Sequence, residues 1–378
     1  MSQEESIVEK VSKGSLAVLF GTIGGRLLGG LYSLLVVRAL DPKDYGALSL
    51  MIASVSLLWA IVNTHVSLAT VRSLAVEKNN YRLTSSCFWY YAAAGLICGV
   101  LFAVLGPPVA EQVFHISQGS FAFQVGGLLL LGMSLQAAFS GIFSGYLRME
   151  NEAVVKICKG ASLLALAILF LALGWSLRGV LLALAVSELV GFLCALALLR
   201  RLLPFKALTS YFNSSILRKL LTFGAILYFA TLMEQVGGSA SIFSLGIFRT
   251  KSEIGEFEAA ASLSGLLLMI PNSLSRPLIS AIANRFAERG KPGLENAAHY
   301  SLKYTLQAVL PLTLLAYIFS EEIVTTLFGH RYVAAIAILQ VIIFANLFHS
   351  MVVIFQSVFI GLGDPAAYLR CALLTALV

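Results

Sequence analysis

Charge is scarce in this sequence. Only 12% of its 378 residues are Asp, Glu, Lys or Arg, while 58% are hydrophobic. A soluble domain carries roughly 25% charged residues, so this scarcity excludes an ordinary water-soluble globule. The few charges come in short bursts. Between them run apolar stretches of about 18 to 27 residues, long enough to cross a hydrocarbon core at 1.5 Å per residue. No polar–apolar alternation repeats at barrel-strand length, which favours helices over a β-barrel. Cysteine is also sparse: Cys87, Cys98, Cys158, Cys194 and Cys371 fall singly in or beside apolar stretches. None has metal-ligand spacing, and they read as small packing residues.

Enzyme signatures are absent. There is no P-loop, nucleotide fingerprint, HExxH or paired-acid motif in a connection, so no catalytic residue, metal set or cofactor is expected. The opening MSQEESIVEK lacks the short apolar core and small-residue site of a cleavable signal. The first apolar run is therefore expected to remain as a helix.

What is there is a series of apolar helices, placed at 14–37, 46–71, 87–105, 121–145, 157–174, 179–199, 221–248, 257–283, 301–319 and 334–360. A further run starts near Cys371. With the N-terminus inside, the inner connections hold eighteen Lys and Arg, counting Arg72, Lys156 and Lys159, against six outside. That asymmetry orients the chain by the positive-inside rule. It accounts for most of the net charge of +7, so no nucleic-acid partner is needed.

The longest inner connection, about 200–220, divides the chain after six helices. Short internal matches support the division. Phe20-Gly21 pairs with Phe223-Gly224, Asp44-Tyr45-Gly46 with Glu253-Ile254-Gly255, and Phe143-Ser144-Gly145 with Phe359-Ile360-Gly361. Each pair falls on one predicted membrane side, which makes a parallel six-helix repeat. The expected domains are an N-terminal lobe at 1–203, a connection at 204–220 and a C-terminal lobe at 221–378. The repeat predicts a second lobe that stops inside helix 11.

Polar groups inside apolar helices are costly and usually face a cavity or a partner. Arg26 lies about 18 Å along helix 1. It reads either as a fixed cation facing an anionic substrate or as half of a buried ion pair. Glu234-Gln235 lies at similar depth in helix 7, and reads as a proton or cation site or as the partner of Arg26. Arg276 sits between Pro271 and Pro277, with Asn272 one turn away on the same face. Asn63 and His65 sit in helix 2, which Arg72 ends. Asn346, His349 and Gln356 sit in helix 10.

The stretch LFGTIGGRLLGGLYSLLVVRALDPKDYGALSL resembles the opening of lipid-linked oligosaccharide flippases. These form the polysaccharide-biosynthesis branch of the multidrug/oligosaccharidyl-lipid/polysaccharide exporter superfamily. The matching residues are Arg26-Leu27-Leu28-Gly29, Arg38-Ala39-Leu40 and Tyr45-Gly46. LGIFRTKSEIGEFEAAASL with RPLIS at 276–280 resembles the family's helix 7–8 region, with Phe257 where a tyrosine is usual. LFGHRYVAAIAIL with GLGDP at 361–365 resembles the helix 9–11 region. An aspartate common in the family's helix 7 is missing near Ser241.

The resemblance implies an all-α polytopic membrane protein whose two six-helix lobes form a MATE-like V, the second incomplete, with about 10–11 transmembrane helices. It implies a cell-membrane transporter with its N-terminus in the cytoplasm. The substrate would be a polyprenyl-phosphate- or pyrophosphate-linked oligosaccharide, turned from the inner to the outer leaflet. Arg26, Arg276, Arg72, Asn63 and Asn272 are the substrate-binding candidates. Glu234, Gln235 and His349 are the coupling-ion candidates, for H+ or Na+. Membrane lipids and glycan-assembly proteins are the expected partners. Three rival readings remain: a multidrug/cation antiporter of the same superfamily, a transport-inactive scaffold of glycan assembly, and a membrane glycosyltransferase.

Overall fold

The structure is a computed structural model. It describes residues 24–25, 27–77, 80–114, 119–204, 208, 211–362, 367 and 370–371. The side chains of some helical residues, Glu234 and Arg276 among them, lie outside that description.

Among the described residues every regular element is helical. In chain order they are α1 (Leu27–Ala39), α2 (Pro42–Val62), α3 (Val66–Val76), α4 (Tyr81–Gln112), α5 (Gly119–Gly145), α6 (Met149–Ala172) and α7 (Ser176–Arg200). There follow α8 (Ser214–Phe248), α9 (Lys251–Ser264), α10 (Met269–Ile318), α11 (Ser320–Leu327), a 3₁₀ turn at His330–Tyr332 and α12 (Ala335–Leu362). Among the described residues six helices are long and apolar enough to cross a membrane, or seven if the pair bent by 73° at Phe319 is one span. α4 carries Leu96, Ile97, Val100, Leu101, Val104 and Leu105 all exposed. In water such a stripe would drive aggregation; in hydrocarbon it is the solvated face. The chain is a multi-pass membrane protein.

Three expectations need correction. Helix 2, expected at 46–71, is broken at residues 63–65 into α2 and α3. Helix 8, expected at 257–283, is interrupted by turns at 265–268. The charged connection expected after it is itself helical, inside the 50 residues of α10. Gly290, Pro292 and Gly293 disfavour a helix, so the sequence around Arg285, Arg289 and Lys291 reads as a connection although the backbone runs on helically.

The chain divides into two compact units, Met1–Leu40 with Leu50–Gln235, and Asp41–Ser49 with Val236–Val378. The division runs through α2 after Ser49 and through α8 after Gln235. In the first unit α4 packs on α5, α6 on α7, and α5 also on α7 and α3. Phe139 anchors it, 2% exposed, with ring centroids 6.1 Å from Phe88, 6.4 Å from Phe143 and 5.8 Å from Phe192.

In the second unit α12 packs on α10 and α9. Leu278, Ile282, Ile354 and Val358 form a buried cluster, and two polar links cross the same packing. Asn346 Nδ2 donates to Ser264 Oγ at 2.9 Å, and the Ser275 and Ser357 hydroxyls lie 2.7 Å apart. The first turns of α2 and α9 also cross here at two glycines. A Cβ added to Gly46 would collide with the Lys251 carbonyl oxygen, and one added to Gly255 with the Pro42 carbonyl oxygen. Each glycine thus faces the backbone four residues before the other, an arrangement symmetric about the crossing. Arg331 Nη1 pairs with Asp41 Oδ1 at 2.7 Å beside it, and the Tyr45 and Tyr332 rings meet edge to face at 6.4 Å.

α9 opens with a capping box. Thr250 Oγ1 accepts from the Glu253 backbone N–H at 3.4 Å, and Glu253 Oε2 accepts from the Thr250 N–H at 2.8 Å. Bonds from the Thr250 backbone and hydroxyl hold the Glu253 carboxyl below the ordinary carboxylate range. A depressed carboxyl adds stability above its unfolded pKa and loses it as pH falls through the folded one. Thr250→Ala is expected to cost about 1 kcal/mol, and its cost should shrink on acidification through the carboxylate range, as read by thermal unfolding in detergent.

Candidate functional site

The break in helix 2 sets a group of polar side chains inside the first unit's apolar packing. Val62 ends α2, and His65 precedes α3 in the left-handed region at φ 57, ψ 20. Asparagine and histidine tolerate that region better than most residues, and Asn and Thr side chains compete with the helical ladder for hydrogen bonds. Asn63-Thr64-His65 is therefore a sequence that stops a helix once neighbours take up the freed groups.

α4 supplies those neighbours. Thr64 Oγ1 donates to the Tyr90 hydroxyl at 2.7 Å, which donates to the Val62 carbonyl at 3.0 Å. The Tyr91 hydroxyl donates to Asn63 Oδ1 at 3.3 Å and accepts the Ser67 N–H at 3.2 Å. The carbonyl at the end of α2 and an amide at the start of α3 thus both have partners, as dry surroundings require. Tyr91 is fully buried, flanked by Tyr90 at 5.1 Å and Trp59 at 6.3 Å between ring centroids. α8 closes the group. His65 Nε2 lies 3.0 Å from Thr231 Oγ1, whose own hydrogen goes to the Tyr228 carbonyl. Asn63, Thr64 and His65 are each half-buried, so a face of this group stays reachable.

Of the residues expected at a substrate site, Asn63 belongs to this group. Arg72 is exposed on α3, seven residues beyond His65. Asn272 is exposed near the start of α10, in the second unit. Arg26 lies outside the described residues, as does the side chain of Arg276. Of the coupling candidates, Gln235 is half-buried on α8 and His349 exposed on α12, while the Glu234 side chain lies outside the description. Asn63 and Asn272 are thus placed in different units.

The sequence reading passed over three residues that the structure gathers: Gln136 on α5, Lys159 on α6 and Glu188 on α7. The signal was present. Glu188 is the single acid within the apolar run 179–199. Lys159 was assigned to an inner flank because helix 5 was expected to begin at 157. α6 begins at Met149, which carries Lys159 about 15 Å into the helix.

Helices of membrane length, a polar break within them and apolar outer faces define a membrane-embedded helical protein. Solved structures share the fold. One is an inward-facing multidrug resistance MATE family transporter of the MOP superfamily, with TM-score 0.73 and 16% identity, covering 93% of this chain and 84% of that one. Another is a MOP superfamily transporter from Pyrococcus furiosus described as having a binding pocket of reverse polarity, with TM-score 0.65 and 15% identity, covering 98% and 86%. Residues 35–337 match the family described as polysaccharide biosynthesis protein, and the chain belongs to that family. A curated relative in Haloferax volcanii, named "Probable low-salt glycan biosynthesis flippase Agl15", is 21% identical over 260 residues. The match takes in 68% of this chain and 53% of the relative, so the chain spans about half the length of the protein it matches.

Proposed function

We propose that this protein flips a polyprenyl-phosphate- or pyrophosphate-linked oligosaccharide from the cytoplasmic to the outer leaflet for surface-glycan synthesis. The observation that carries the reading is membership of the polysaccharide biosynthesis family, across residues 35–337, on a membrane-spanning helical fold. The half-buried Asn63-Thr64-His65 break supports it. Irregular backbone at membrane depth is tolerated where it is buried in protein or lines an aqueous cavity, and its amide, hydroxyl and imidazole suit a sugar or phosphate headgroup. Arg26, Arg72 and Arg276 are the cations for the phosphate, since the guanidinium fork matches phosphate oxygens. Asn63 and Asn272 add polar contacts.

In this reading the lobes 1–203 and 221–378, joined by 204–220, rock about a central site, with the N-terminus in the cytoplasm. Glu234, Gln235 and His349 couple the motion to H+ or Na+. Glycan-assembly proteins supply the lipid-linked substrate. The antiporter alternative rests on likeness of fold alone, and intramembrane arginines suit an anionic cargo better than a cationic one.

Complementation tests the reading. The full chain is expected to restore surface glycan in a host whose own oligosaccharide flippase is deleted, and Arg26→Ala, inserted at equal level, to lose at least roughly tenfold, since removing a charge partner costs several kcal/mol. Restoration by both forms sinks Arg26 as an essential cation. A stably inserted wild type that restores nothing, in hosts with several lipid-linked glycans, sinks the flippase reading.

A further inference from the structure

α5, α6 and α7 meet at three polar side chains well inside their apolar lengths. Lys159 is ten residues past the start of α6, about 15 Å along its axis, and Glu188 is twelve residues before the end of α7, about 18 Å along its own. The chain turns back between the two helices, so both lie at nearly the same depth from one membrane face. Lys159 Nζ donates to Glu188 Oε1 at 2.5 Å and to Gln136 Oε1 at 3.3 Å, and Gln136 Nε2 donates to Glu188 Oε2 at 2.8 Å. The three bonds close a triangle in which both carboxylate oxygens are used. The Glu188 side chain is 9% exposed and that of Lys159 25%.

Two glycines make the room. A Cβ on Gly132 would lie 2.8 Å from Glu188 Oε2, and one on Gly191 would lie 2.9 Å from Gln136 Nε2. Among the described residues of these three helices the charge is matched locally. α5 has no ionisable side chain at all. On α6, Glu152 is already paired with Lys156 at 2.7 Å, and Glu150 lies in the first turn. On α7, Arg178 and Arg200 stand near the two ends, and the remaining titratable groups of these helices are the thiols of Cys158 and Cys194.

Glu188 Oε1 and Gln136 Oε1 converge on one point, as oxygen ligands converge on a small cation, and the point is taken by an ammonium from the chain itself. We propose that Lys159 is a tethered counter-cation: Glu188 and Gln136 form a cation site filled by the protein's own lysine, so this three-helix group binds no free sodium ion. The site holds α5, α6 and α7 in register as a neutral unit. Loss of either charged partner leaves an uncompensated charge in an apolar setting, while loss of both leaves none.

The test uses the purified full chain in detergent and does not depend on which cargo is moved. Melting temperatures are compared for wild type, Lys159→Met, Glu188→Gln and the double variant, in sodium chloride and in choline chloride at equal ionic strength. Each single variant is expected to melt roughly 5–10 °C lower, the double variant to recover at least half of that loss, and wild type to melt alike in both salts. A single variant that does not accumulate counts as that loss taken to its limit, and the double variant is then expected to accumulate like wild type. Three results overturn the proposal: single variants that melt with wild type, a double variant worse than either single or absent from the membrane, or a saturable rise of the wild-type melting temperature with sodium that Glu188→Gln abolishes.

Discussion

Gly46→Ala is expected to destabilise the protein by roughly 3 kcal/mol or more, although it adds a single methyl group. The methyl would fall on the Lys251 carbonyl oxygen and crowd the Lys251 carbon and the Gly255 nitrogen. All three are backbone atoms, so no side chain can rotate away. The start of α2 would have to lift off the start of α9, loosening the Arg331–Asp41 pair and the Tyr45–Tyr332 contact beside it. Gly255→Ala meets the Pro42 carbonyl in the same way, and its cost should be similar. The pair should not add. Once one methyl has forced the crossing apart, the second enters space already opened, so the double variant is expected to cost clearly less than the two singles together. Thermal unfolding of the four forms in detergent measures this, and additive losses would mean the two glycines act at separate contacts.

That crossing shows how far the sequence could be read. Asp44-Tyr45-Gly46 and Glu253-Ile254-Gly255 were legible as a repeated pair on one predicted membrane side. That the two glycines also meet each other was not, because contact between helices 200 residues apart leaves no local trace. Apolar length was enough to place α5, α7 and α12 within a few residues, since hydropathy reports what a helix is immersed in. The same measure failed where solvent and backbone part company. At 284–300 polar residues were read as a connection although the helix runs on through them, and at 63–65 an apolar run was read as continuous although its backbone turns aside. The break depends on Tyr90 and Tyr91 of α4, and helix periodicity within 46–71 has no access to them. Glu188 is a different case. A lone acid in an apolar run is a local signal, and it went unread because Lys159, its partner, had been assigned to the membrane edge by a helix start placed eight residues late.

Tyr91 carries the other large effect. Tyr91→Ala is expected to cost about 3–5 kcal/mol, the usual range for deleting a buried aromatic ring. The loss has two parts that Tyr91→Phe separates. Phenylalanine keeps the packing against Trp59 and Tyr90 but removes the hydroxyl that accepts the Ser67 N–H and donates to Asn63 Oδ1. That leaves a backbone donor at the start of α3 without its acceptor in a dry setting, worth roughly 1–3 kcal/mol. A contrasting substitution sits one link away. His65→Gly gives up the bond to Thr231 but relieves a side chain held at φ 57, a conformation costing most residues about 1–2 kcal/mol, so its net effect on unfolding should be small. The two variants then part in the complementation assay. If the break only connects two helices, glycan output follows stability: Tyr91→Phe falls and His65→Gly stays near wild type. If the break meets the headgroup, His65→Gly loses output while its melting temperature holds, and that split places the substrate at residues 63–65.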